Sequence, residues 1–156
     1  GMSLVQTGNV ALVVSMLSLF TPALFGHFDP GPARRRVWIV RAALGTAAAF
    51  ALMAFLPLDW VDVGGMVTVA VLCGAVILQY ANVRDSYTAE MSGRAMSVFT
   101  MAIFLGVAFV QSLSGLAASW SQALGQESYA GVLVCVAALL ALGAIAFRLL
   151  PVGRLG

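Results

Sequence analysis

The sequence predicts an all-α, polytopic membrane bundle of five transmembrane helices, and three observations carry that prediction. Hydrophobic residues make up 62% of the 156 positions and charged residues 9%, whereas soluble domains hold about 45–50% and about 25%. A soluble chain of this length could not hide so much apolar surface, because its core grows too slowly with size. Five apolar runs reach the length of about 20 residues that a helix needs to cross hydrocarbon. All eight basic residues are arginine, and they gather at alternate junctions between those runs. Lipid admits only helices and closed barrels, and the runs lack the period-two alternation of barrel strands.

The runs fall near residues 4–25, 37–56, 64–82, 95–119 and 129–150, read as one transmembrane domain. The first carries Thr21-Pro22 close to its end, where proline frees a carbonyl and should bend the helix. It leads into Gly26-His27-Phe28-Asp29-Pro30-Gly31-Pro32, then Arg34, Arg35 and Arg36. Prolines 30 and 32 argue against regular helix there, so a tight connection is expected. The second run is rich in alanine, suited to close packing, and stops at Pro57-Leu58-Asp59-Trp60. Trp60 suits the membrane–water boundary. The third opens at Gly64-Gly65 and ends at Gln79, Tyr80 and Asn82. Residues 82–94 form the most polar stretch, with Arg84, Asp85, Glu90 and Arg94. The fourth run carries Gly106, Gln111, Ser112, Ser114 and Gly115, and residues 118–129 read as a short loop anchored by Trp120 and Tyr129. The fifth ends at Arg148, ahead of Pro151.

Charge sets an orientation. Arg34–Arg36 with Arg41, then Arg84 and Arg94, then Arg148 and Arg154 mark one side, while Asp59, Asp62 and Glu127 mark the other. Cytoplasmic loops hold the excess of arginine. The amino terminus is therefore expected outside and the carboxyl terminus in the cytoplasm, in a bacterial inner (plasma) membrane. Gly1 before Met2 resembles the remnant of a cleaved tag, which makes Met2 a candidate start of a cloned segment and leaves a fragment and a natural short protein as the two readings.

Several chemistries lack their residues. The carboxylates lie outside the apolar runs, and intramembrane ionisable groups are the usual mark of ion pathways. His27 is the one histidine, and a metal site needs three or four ligands. Cys73 and Cys135 sit inside apolar runs as filler, with no spacing suggesting a metal or haem site. No serine has a base poised to activate it. No enzyme activity, metal or cofactor is expected. Nor is a nucleic-acid partner, because the arginines are distributed along membrane edges.

Two loops carry a resemblance. Gly26, Asp29 and the run Arg34–Arg36, followed further on by Glu90, Gly93, Arg94 and Ala95, resemble cytoplasmic loops in the C-terminal half of major facilitator superfamily transporters. In that family a Gly-x-x-x-Asp-Arg-x-Gly-Arg-Arg loop joins helices two and three, with a decayed copy between eight and nine. A Glu followed by Gly-Arg-Ala precedes helix eleven. In this chain the Gly–Asp spacing is one residue shorter, and Pro30 replaces a basic residue. The resemblance implies helices eight to twelve of a twelve-helix transporter, with helix seven and the N-terminal half missing. It implies transport of a small solute by alternating access, with membrane lipid, the solute and the missing N-terminal helices of the parent chain as partners.

Two site readings follow, each beside a plainer one. Asp29, Arg34, Arg35, Asp85, Glu90 and Arg94 form a cytoplasmic lock if carboxylates meet arginines from neighbouring helices; otherwise they are solvated charges that set topology. Gln79, Gln111, Ser112 and Ser114 line a pathway if their faces meet a central cavity; otherwise they hold helices together. The alternative for the whole chain is a small standalone membrane protein acting as an oligomeric or complex-assembly subunit.

Overall fold

A computed structural model describes residues 3–125 and 127–150. Within them the chain forms six helices and no strand: α1 (Leu4–His27), α2 (Pro32–Phe55), α3 (Asp59–Cys73), α4 (Val76–Asp85), α5 (Ala89–Ala123) and α6 (Ser128–Leu149). Helices α3 and α4 together make one apolar span, so five segments are long and apolar enough to cross a membrane.

Local chemistry sets the boundaries. Ser3 caps α1 in a reciprocal box with Gln6, each side chain bonding the other residue's backbone. The first connection is shorter than expected, because Pro32 does not break a helix but begins one. Proline suits that first position, where its missing N–H costs nothing and its φ is already helical. Arg34, Arg35 and Arg36 consequently lie in the first turns of α2 and not in a loop. Helix α1 runs through Pro22. Helix α5 continues to Ala123, across half of the stretch expected as a loop. Its 35 residues span about 52 Å at 1.5 Å per residue, well beyond a hydrocarbon core of about 30 Å. The carboxylates Asp59, Asp62, Asp85 and Glu90 occupy helix ends, not loops.

The break between α3 and α4 was not expected. Thr21 of α1 is buried, and its hydroxyl donates to the Ala70 carbonyl at 3.2 Å. The Gly74 N–H, whose regular α-helical acceptor is that same carbonyl, bonds Val71 instead; Ala75, Ile77 and Leu78 also bond three residues back. The result is a short 3₁₀ stretch inside a membrane span. Gly74 permits it: a Cβ there would stand 2.6 Å from the Thr21 Cβ and 2.7 Å from its carbonyl carbon.

Helix α2 is central, packing on α6, α3 and α4, while α1 lies on α3 and α4, and α5 on α6 and α4. One core cluster joins Ile39, Ala42, Ala75 and Leu78, with Phe25, Leu72 and Phe147 around it. The other joins Met53, Val61 and Leu133 near the opposite end. Helices α1 and α5 share no packed face and form the two edges of the bundle. Among α1's described residues only Thr21 is buried, and α5 buries none.

Candidate charge lock and internal cavity

The loop after α1 builds the site. Gly31, at φ 79°, takes a left-handed turn, and its N–H donates to Asp29 Oδ1 at 3.1 Å. This local bond aims the Asp29 carboxylate back along the first turn of α2. Arg35, four residues after Gly31, meets it with two donors: Nε to Oδ1 at 3.1 Å and Nη2 to Oδ2 at 2.5 Å. Its third nitrogen, Nη1, donates to Asp85 Oδ2 at the end of α4 at 2.8 Å. Arg84 closes the set from outside, with Nε 3.2 Å from Asp85 Oδ1.

Burial separates the members. The Arg35 side chain is 4% exposed, against 25% for Asp29 and 34% for Asp85. A guanidinium withdrawn from water needs its charge matched and its donors filled. The fork to Asp29 and the single bond to Asp85 supply both, and two arginines against two aspartates leave the group neutral. The Arg35 guanidinium, followed by the Gly31 N–H, holds the Asp29 carboxyl below its ordinary range, against the opposing push of burial. One buried side chain thus ties the α1–α2 loop, α2 and α4 together.

Of the residues singled out in the sequence, Asp29, Arg35 and Asp85 meet. Arg34, Glu90 and Arg94 are exposed and stand outside the group. Glu90 lies in the first turn of α5, where a negative charge favours the helix dipole. Arg84, named in the sequence only within the polar stretch 82–94, joins the group through Asp85.

The polar residues expected to share a face in the fourth span lie on α5. Gln111 and Ser112 are exposed and Ser114 is half-buried, and Ser112 Oγ returns to the Ala108 carbonyl at 2.9 Å. Gln79 is placed differently. With Asn82 one turn on, it borders a half-open cavity of about 290 Å³ lined mainly by apolar side chains of α2, α4, α5 and α6, among them Ile39, Phe99, Leu140 and Phe147. Arg36 was also missed as a structural residue. Its Nη2 donates to the carbonyls of Phe147, Arg148 and Leu150, and its Cζ lies 5.1 Å from the Phe147 ring centre. It caps the end of α6 as cations favour.

These contacts place the end of α1, the start of α2 and the ends of α4 and α6 together. The arginine-bearing junctions therefore share one end of the bundle, and the clustering of Val61 with Leu133 brings the starts of α3 and α6 together at the other. The class defined by this fold is a helical bundle with five membrane-length apolar spans and a charge-paired end. Comparison with family models, with curated proteins and with solved structures finds no match to this chain.

Proposed function

We propose that this chain is the C-terminal part, helices eight to twelve, of a major facilitator-type secondary transporter that moves a small solute across a bacterial inner membrane by alternating access. The observation that carries the proposal is Arg35, buried between Asp29 and Asp85 where three elements meet. Such a contact is bistable: made, it holds one end of the bundle shut, and broken, it releases α4 from the α1–α2 loop. The broken third span supports the same reading, since transporter helices lose regularity where they bend or bind. The edges α1 and α5, with almost no buried side chain, are the faces on which a second half of the transporter would close. The same exposed edges also suit self-pairing, which keeps a small oligomeric membrane subunit as the second reading.

The test belongs in the full-length parent protein. Arg35→Gln should cut uptake at least tenfold in a panel of sugars, amino acids and organic cations, with membrane insertion kept. Arg34→Gln should leave uptake within twofold. Equal uptake by both variants removes the lock. A parent that moves no solute, together with a chain that runs as one defined oligomer, favours the subunit reading.

A further inference from the structure

A groove of about 500 Å³ runs between α2 and α6 at the arginine-bearing end, lined by Arg36, Val37, Val40, Arg41, Leu44 and Arg148. On α2 the wall follows the spacing 36, 37, 40, 41, 44, which is one continuous helical stripe. Three apolar side chains, Val37, Val40 and Leu44, and three arginines share its lining. Arg41 and Arg148 are exposed, and neither pairs with a carboxylate among the described residues. Arg36 is held in place by the α6 carbonyls through Nη2 alone, so its Nε and Nη1 donors stay available. Of the acids at this end, Asp29 and Asp85 are committed to Arg35, and Glu90 lies at the start of α5, a helix that does not line the groove. The groove therefore presents Arg41 and Arg148 without a carboxylate partner among the described residues, and Arg36 with donors to spare, beside valine and leucine side chains.

That pairing of chemistries selects its occupant. Guanidinium forks bind phosphate oxygens in pairs, and basic pockets between membrane helices bind acidic headgroups. A free phosphate would use the arginines and leave the apolar strip bare. We propose that this groove binds an anionic glycerophospholipid from the leaflet at the arginine-bearing end, its phosphate between Arg36, Arg41 and Arg148 and one acyl chain along Val37, Val40 and Leu44. The site lies on the flank of α2 and α6, away from the Asp29–Arg35–Asp85 group. It requires insertion in a membrane and is independent of whether the protein transports anything.

Native mass spectrometry of the detergent-solubilised chain, given equal amounts of phosphatidylglycerol and phosphatidylcholine with identical acyl chains, reads the preference directly. The wild type should retain phosphatidylglycerol in excess. Each of Arg41→Gln and Arg148→Gln should lower that excess about fivefold, the loss of about 1 kcal/mol per arginine near a membrane surface. Arg94→Gln, which removes an exposed arginine outside both the groove and the charge group, should leave it unchanged. Glycerol 3-phosphate or inorganic phosphate at the lipid's concentration should not displace the bound lipid. Equal retention of the two lipids by the wild type, or full retention of phosphatidylglycerol by both groove variants, overturns the proposal. Displacement by the soluble phosphates also overturns it, in favour of a soluble-anion site. Both substituted side chains are exposed, and unchanged helical circular dichroism certifies each variant.

Discussion

At the scale of single residues, three consecutive arginines have three different fates. Arg34 stays in solvent, Arg35 is buried and Arg36 caps α6. The sequence marks the triplet as a charge cluster but does not rank its members. The ranking depends on Pro32 starting α2, which sets the angle at which each side chain leaves the helix. Asp29 was legible as a candidate from its position beside the basic run; the partnership of Arg35 with Asp85, fifty residues later, was not, because loop charges carry no mark of which helix end they face. Replacing Arg35 with glutamine leaves both carboxylates short of a donor in a partly buried place. A loss of about 1–3 kcal/mol is expected for an unsatisfied buried polar group, against a few tenths for Arg34→Gln. Unfolding in detergent–denaturant mixtures should separate the variants by that margin. The pH response has a definite sign. Asp29 titrates below its ordinary value near 4 because Arg35 holds it charged. Its contribution to stability is fully present above about pH 4 and disappears as pH falls through the depressed native value. The midpoint of unfolding should therefore hold steady from pH 5 to 8 where this group is concerned and drop below pH 4. In Asp29→Asn the part of that acid drop due to Asp29 should vanish; an identical acid profile would remove Asp29 from the charge group.

At the scale of elements, hydropathy recognises spans but not their interruptions. The third run reads as uninterrupted because Cys73, Gly74 and Ala75 are all acceptable in lipid, yet a 3₁₀ turn divides it. Another helix meets the break there, with the Thr21 hydroxyl donating to the Ala70 carbonyl. Thr21-Pro22 was visible only as a local bend in α1, since nothing in its own neighbourhood names Ala70. Two substitutions take the arrangement apart. Thr21→Val keeps the shape and deletes the donor; interhelical hydrogen bonds in membranes average about 0.6 kcal/mol, so a small loss of stability is expected. Ala70 then becomes free to accept from Gly74, and amide exchange at Gly74 should slow as regular helix returns. Gly74→Ala acts by bulk. Its Cβ meets the Thr21 Cβ and carbonyl carbon within 2.7 Å, and backbone cannot step aside as a flexible side chain would. A cost of about 1–3 kcal/mol follows from such overpacking, larger than for Thr21→Val. The reverse order of the two losses would mean that the close approach is not what sets the break.

At the scale of the whole molecule, the five-span architecture was the most legible feature. It rests on summed hydropathy over about 20 residues, a quantity that tolerates errors at any single position. Element ends were less so: Pro32 and residues 118–123 were read as loop and are helix, because polar or proline-bearing residues are as acceptable in a helix end as in a turn. The arginine pattern makes a stronger claim, that every basic junction faces one compartment. The Arg35–Asp85 and Arg36–Phe147 contacts already require those junctions to share one end of the bundle; from charge bias we propose that this end faces the cytoplasm. Single cysteines test the assignment once Cys73 and Cys135, both free thiols, are replaced by serine. Arg34→Cys, at the start of α2, should react with a membrane-impermeant maleimide only after cells are permeabilised. Asp59→Cys, at the start of α3, should react on intact cells. Swapped labelling would invert the orientation and leave the bundle standing. Labelling of both positions from the same side would be incompatible with α2 as a membrane crossing, because a single traverse of that helix must separate them.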